Sequence, residues 1–376
     1  MTAQPRATPA LYDLSRPELE ALLAGWGEPR YRAGQVWRWL YRRLPAGIAE
    51  MSDLPRPLRE RLEAETVLGR LEPALDVASR DGSTHKLLFR LPDGQTIESV
   101  LMRYGEIEGA AGVARRTACI SSQAGCGMGC VFCATGQMGL LRNLTAGEIV
   151  EQVLWFQRQL VAADERLTNI VLMGMGEPLA NYGPTLEAIR RLIDPEAFAF
   201  GQRRITLSTV GLVPGIERFT AEGLQVNLAV SLHAATDELR NRLVPINRRY
   251  PLDRLIAACR AYVAQTHRRL TFEWALIAGV NDDPAQARAL AARVKGLLCH
   301  VNVIPVNPTR GYAGSPSDRR RVAAFSAVLE EAGIPVTVRV RRGIDIDAGC
   351  GQLATEHKQP AASLGDREGH EPARGP

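Results

Sequence analysis

Three cysteines, Cys126, Cys130 and Cys133, fall within eight positions of GCGMGCVFCATG (residues 125–136), in a chain of 376 residues that has seven cysteines. Clustered thiols of this kind bind metal or exchange disulfides. A closed tetrahedral zinc site takes four ligands and a disulfide framework takes pairs, so C-x3-C-x2-C leaves one place open. Two chemistries fit. An iron–sulfur cluster held by three thiolates would keep one iron free for a further ligand, and the glycine-rich spacing leaves room for an inorganic cube beside the backbone. A zinc site would borrow a distant fourth ligand, such as His233 or another cysteine.

Cys119 lies seven residues before Cys126, and Cys350 sits in the glycine-flanked IDIDAGCGQL. Cys259 and Cys299 fall in helical patterns and read as small buried hydrophobes. From residue 117 the chain alternates strand, loop and helix. Expected strands are TACISSQ (117–123), NIVLMGMG (169–176), RITLSTVG (204–211), VNLAVSLH (226–233), FEWALI (272–277), VNVIPVN (301–307) and VTVRV (336–340). Between them, TAGEIVEQVLWFQRQL carries a capping box at Thr145 and Glu148, with Ile149, Val153, Phe156 and Leu160 on one face. Apolar runs without alternation suit parallel strands covered by helices. The pattern predicts an α/β fold, an open or partial βα barrel, over residues 117–356. Reactive residues then belong at the C-terminal ends of strands. The cysteine cluster follows the first strand, Gly-Glu-Pro the second, and Ser-Leu-His closes the fourth.

Ahead of this, residues 1–12 are expected to be flexible, and residues 13–70 to form a helical accessory module. Ser15 caps the first helix, and AGQVWRWLYRRL and LPRPLRERLEAE supply two more. Residues 30–43, RYRAGQVWRWLYRR, interleave five arginines with Tyr31, Trp37, Trp39 and Tyr41. Either the arginines grip phosphates while the rings stack on bases, or the aromatic face packs a core. THKLLFRLPDGQTIESVLM reads as a hairpin turning at Pro-Asp-Gly, within a linker of residues 71–116. The polar, Pro- and Gly-rich tail 357–376 is expected to be disordered. A net charge of +5 would suit a polyanionic partner without proving one. The absence of a long apolar run or a signal-peptide pattern predicts a cytoplasmic protein that makes no membrane contact.

TACISSQAGCGMGCVFCATG, VLMGMGEPLANY, TLSTVG, SLHAATDELR, VPINRRY, IPVNP and RRGIDIDAGCGQLA together resemble the radical S-adenosylmethionine (SAM) superfamily. Within it they are similar to the dual-specificity 23S rRNA/tRNA adenine carbon-2 methyltransferases of the RlmN type, over residues 12–356. The resemblance implies that Cys126, Cys130 and Cys133 hold a [4Fe-4S] cluster whose fourth iron takes the amino and carboxylate groups of SAM. It implies SAM contacts at Gly176, Glu177, Ser208, Ser231, Leu232, His233 and Asn307. It assigns catalytic roles to Glu98, Cys350 and Cys119, and two SAM molecules per turnover. Cys350 would take a methyl group from one SAM. A radical made from the second would activate that methyl for attack on carbon 2 of adenine, which is too electron-poor for ordinary polar methylation. Glu98 would accept the carbon-2 proton, and Cys119 would attack the Cys350 sulfur, releasing RNA and leaving a transient disulfide.

The implied partners are 23S rRNA, tRNA and an electron donor such as flavodoxin or ferredoxin, with the enzyme monomeric. The N-terminal module and basic stretches such as NRRY (247–250) and DRRR (318–321) would contact phosphates. Taken singly, each residue also has a bland reading. Glu177 could cap a helix, Ser208 could be a core hydroxyl, His233 could bond a backbone carbonyl, and Glu98 could face outward from a strand. Two other functions share parts of the pattern: a carbon-8 adenosine methyltransferase of the antibiotic-resistance type, and a non-catalytic RNA-binding protein with a zinc ribbon.

Overall fold

The computed structural model describes residues 8–105, 114–339 and 341–354, so the expected tail lies outside the described residues. The strands are β1 (Glu72–Ala78), β2 (Thr84–Arg90), β3 (Thr96–Tyr104), β4 (Arg115–Cys119), β5 (Gln123–Cys126), β6 (Gly139–Asn143), β7 (Asn169–Leu172), β8 (Ile205–Thr209), β9 (Asn227–Ser231), β10 (Leu270–Leu276), β11 (Cys299–Pro305) and β12 (Val336–Val338). Among the described residues, ten of them form one sheet in the order β1-β2-β3-β4-β7-β8-β9-β10-β11-β12. Every neighbouring pair from β4 to β12 is parallel, and β1 to β4 are antiparallel. With β1 and β12 at its edges, the sheet stays open, as the strand–helix rhythm predicts.

The parallel strands are apolar because helices cover them. Ile170, Val171 and Leu172 of β7 and Leu228, Ala229 and Val230 of β9 are all buried. The helix Ala146–Ala162 forms behind the Thr145–Glu148 capping box, and Ile149, Val153, Phe156 and Leu160 are buried in one continuous core. Helix and parallel strand thus bury each other, and the strand ends are left free to carry chemistry.

Several expectations need correction. Residues 71–116 are no linker: β1, β2 and β3 extend the main sheet. The β2–β3 hairpin is as expected, but β1 escapes the sequence pattern because nearly all of its residues are exposed. TACISSQ is two elements, since the chain leaves β4 at Cys119 and then pairs as β5 with β6 in a separate hairpin. Gly125 (φ 71°) sits inside β5 where its pairing with β6 is irregular, and a side chain there would collide with the Gly139 carbonyl. Cys299 opens β11 and lies in no helix. Ala10, Leu11 and Tyr12, expected to fray, are buried, and the Leu11 amide donates to the Val67 carbonyl at 2.8 Å.

The arginine–aromatic segment packs a core. Trp37, Trp39 and Tyr41 are buried, and Tyr31 is the ring left exposed. Arg42 donates to the carbonyls of Pro195 and Ala197, fastening the helical module to the α/β body. The same joint includes Arg191 donating to the Tyr12 carbonyl at 2.6 Å and the buried Glu151 carboxylate accepting the amides of Arg70 and Leu71 at 2.9 and 3.1 Å.

Candidate active site

At the C-terminal ends of β7 to β11 the molecule encloses a cavity of about 180 Å³, and Cys126, Cys130 and Cys133 all line it. Their loop is fixed from several sides. The Val131 amide donates to the Leu243 carbonyl at 3.1 Å, and the Gln137 amide to the Cys133 carbonyl at 3.0 Å. Gly136 lies so near the loop that a side chain would sit 3.0 Å from the Cys130 carbonyl. Phe132 stacks edge-on against His233, with ring centroids 4.8 Å apart. Burial pushes the Cys126 thiol up to about 12, and burial plus the neighbouring thiols also raises Cys130 and Cys133. Such thiols ionise when a cation arrives.

Soft sulfur donors of this kind suit an iron–sulfur cluster. All three thiols line the one cavity, so a cluster held there would meet them together. Among the described residues, two buried polar atoms in the same wall, Asn307 Oδ1 and Glu273 Oε2, have no hydrogen-bond partner. They are available to a polar ligand beside the cluster.

The residues singled out for SAM arrive unequally. Gly176, Glu177, Ser208, Ser231, His233 and Asn307 all line the cavity, whereas Leu232 is buried outside it. Gly176 has φ 100°, and a side chain there would strike Gln123. Both carboxylate oxygens of Glu177 accept main-chain amides, Oε1 from Leu179 at 3.1 Å and Oε2 from Val210 at 2.8 Å. Burial raises its carboxyl to about 7. Glu177 is therefore foremost a tie between two strand ends, closer to the capping reading than to a free acceptor. His233 Nδ1 accepts the Ala275 amide at 2.9 Å, where the bland reading had it bonded to a carbonyl. Burial lowers it to about 3, so the ring is neutral with its proton on Nε2.

A second cavity, of about 110 Å³, adjoins the first, and Cys350 and Asn307 line both. Cys119 lines only the second, deep in the fold, where burial raises its thiol to about 12. Cys350 is exposed on its loop. Asn307 Nδ2 donates to the Cys350 carbonyl at 3.0 Å, and Gly351 takes φ 82°. Gly349 packs so tightly that a side chain would sit 2.6 Å from Asn307. Val100, Met102 and Tyr104 on alternate positions of β3 form another wall. Glu98 belongs to the same row by strand alternation, one step beyond the cavity. Its carboxylate is buried, paired with Lys86 Nζ at 3.0 Å and accepting the Ala354 amide at 2.9 Å. The outward-facing reading of Glu98 does not hold.

Sequence reasoning missed three charged residues here. Arg240 is fully buried and donates to the carbonyls of Val210 (2.6 Å), Ser231 (3.1 Å) and Leu232 (3.0 Å) and to Asn247 Oδ1 (2.9 Å). It ties the ends of β8 and β9, and burial depresses it to about 10. Arg339 Nη1 lies 4.0 Å from Cys350 Sγ and 3.9 Å from Glu273 Oε2. A glutamate inside the apolar run FEWAL was the available signal for Glu273. The arginines gave none, since charge is ordinarily solvated.

Residues 120–291 match the sequence model of the radical SAM superfamily, and residues 10–68 that of the ribosomal RNA large subunit methyltransferase N-terminal domain. The chain is 54% identical over 355 residues to "Dual-specificity RNA methyltransferase RlmN 1" of Myxococcus xanthus, covering 94% of this chain and 97% of that one. It is 50% identical over 361 residues to "Probable dual-specificity RNA methyltransferase RlmN" of Chloroflexus aurantiacus, with 93% and 94% covered. A crystal structure of a radical SAM methyltransferase from Sphaerobacter thermophilus superposes with a TM-score of 0.88 at 52% identity, covering 93% of this chain and all of that one. Cluster-ready thiols at strand ends, an N-terminal module of matching type and identity over nearly the whole length agree: the chain belongs to the RlmN family of radical SAM RNA methyltransferases.

Proposed function

We propose that this protein methylates carbon 2 of one adenosine in the peptidyl-transferase region of 23S rRNA and of one adenosine beside the tRNA anticodon. A radical SAM enzyme uses a [4Fe-4S] cluster and SAM, which together supply an electron, a carbon-centred radical and the methyl group. Cys126, Cys130 and Cys133 hold the cluster, and the wall from Gly176 to Asn307 orients SAM.

Cys350 accepts the methyl group on its sulfur as a thiolate. Once that methyl has lost a hydrogen atom, its carbon adds to carbon 2 of the adenine seated in the second cavity. The adduct must give up one electron, which the oxidised cluster would take back, and Glu98 takes the carbon-2 proton. Cys119 then attacks the Cys350 sulfur; the carbon–sulfur bond breaks, the released carbon takes a proton, and a Cys119–Cys350 disulfide remains. Two SAM molecules are consumed per turnover. The observation that supports this order is that Cys350 lines both cavities, the first together with all three thiols and the second together with Cys119.

The helical module steers RNA, a flavodoxin or ferredoxin supplies electrons, and the enzyme works as a cytoplasmic monomer. The relatives' names speak for RNA methylation and against a non-catalytic zinc ribbon. The test is Cys119→Ala with unmodified RNA under reducing, anaerobic conditions. RNA is expected to stay covalently attached to the protein on denaturing gels. Full turnover by that variant would overturn the resolving role, and 8-methyladenosine in digested wild-type product would overturn the carbon-2 assignment.

A further inference from the structure

Of the 46 basic side chains in the chain, only three are lysines: Lys86, Lys295 and Lys358. In so arginine-rich a chain, a mostly buried place filled by a compact ammonium is an exception. Lys86 occupies such a place. It stands on β2 opposite Val100 of β3, and Val100 stands opposite Cys119 of β4. The three side chains therefore form one cross-strand row, on the face that walls the second cavity.

The Lys86 ammonium meets two groups. Glu98 Oε1 lies 3.0 Å away, and the Asp347 carbonyl accepts from Nζ at 3.4 Å. The second oxygen of Glu98 accepts the Ala354 amide at 2.9 Å. Asp347 and Ala354 bracket Cys350 in sequence, so lysine and carboxylate together grip the segment that carries this thiol at both ends.

We propose that Lys86 is the positioning residue that keeps Glu98 ionised and couples it to the seating of the Cys350 segment. This rests on the assignment of Glu98 as proton acceptor. The charged groups bearing on that carboxylate are Lys86 from β2 and Asp347 from the Cys350 segment. Burial raises the Glu98 carboxyl, Lys86 and the Ala354 amide oppose that rise, and Asp347 adds to it. Without the ammonium, burial acts with less opposition, and Glu98 keeps its proton to higher pH. A protonated carboxyl cannot accept another proton, so the pH at which product release begins must rise.

The experiment measures single-turnover release of methylated RNA against pH for the reconstituted holoenzyme and for Lys86→Met, Lys86→Arg and Glu98→Gln. In Lys86→Met the acid limb of the profile is expected to move upward by about one to three pH units. Lys86→Arg, which restores the charge, brings the limb back toward the wild-type position. A loss in Lys86→Met by the same factor at every pH means a merely structural lysine and overturns the inference. Full release by Glu98→Gln overturns the proton-acceptor assignment instead, whatever Lys86→Met does. Should Lys86→Met fail to fold, Lys86→Gln carries the same prediction.

Discussion

The two cavities that meet at Cys350 are built by different means. The first is walled by the ends of parallel strands, and main-chain groups at those ends are tied by buried side chains. Glu177 links Leu179 to Val210, and Arg240 links Val210, Ser231 and Leu232. The second has strands on one side, with Cys119 in its wall and Glu98 just beyond it, and on the other the segment 343–354, which contains only a short 3₁₀ turn. That segment is held by single contacts, such as the Ala134 amide on the Gly351 carbonyl at 2.8 Å and Thr135 Oγ1 on the Leu353 carbonyl at 2.6 Å. Making a radical calls for a fixed, water-poor geometry. The proposed passage of one carbon from SAM to RNA, ending in a disulfide between Cys350 and Cys119, would call for a carrier that moves.

The largest expected effect separates the two sides outright. Cys126→Ala should lose bound iron and sulfide together with all methylation. Cys350→Ala should abolish methylation and keep the iron–sulfur content. Metal analysis beside an RNA methylation assay checks both. Loss of the cluster in Cys350→Ala would mean that the two cavities are one unit, and the comparison would break.

Arg240→Met is the next largest. It leaves three buried main-chain carbonyls without the donor they have now, each loss costing about 1–3 kcal/mol, for a total of roughly 3 to 5 kcal/mol. Urea unfolding of the cluster-free protein measures this. A cost below about 1 kcal/mol would show that the first cavity does not depend on the tie and is no stiffer than the second.

The same contrast decides what was legible in the sequence. Glycines and cysteines at strand ends could be read because period and spacing report backbone path, and βα alternation places strand ends on one side. Cys126, Cys130, Cys133, Ser208 and Ser231 all come together as that argument requires. The ties could not be read. Arg240 looks like a surface arginine of SLHAATDELR until Val210, thirty residues away, closes on it from the neighbouring strand's end. Lys86 and Glu98 are twelve residues apart on neighbouring strands, and only the hairpin register sets them diagonally. Trp37 and Tyr41 left two readings open because helical spacing does not say which surface the apolar stripe meets.

The smallest effect tests the loose side. Gln352 is buried; its Oε1 accepts the Gly349 amide at 3.1 Å and its Nε2 donates to the Pro308 carbonyl at 3.2 Å. Gln352→Met keeps the volume and removes both bonds, a loss of about 1 to 1.5 kcal/mol. Because the segment is seated by separate contacts, the loss should fall on local opening and leave global unfolding almost unchanged. One such increment is roughly a tenfold change in an equilibrium. Amide hydrogen exchange within residues 349–354 should therefore quicken by about that factor, while β9 amides keep their protection and the melting midpoint stays put. A fall in the midpoint with no faster exchange in the segment would put Cys350 on a part of the molecule as stiff as the three thiols, and the carrier would then have to reach Cys119 by some motion other than that of its own loop.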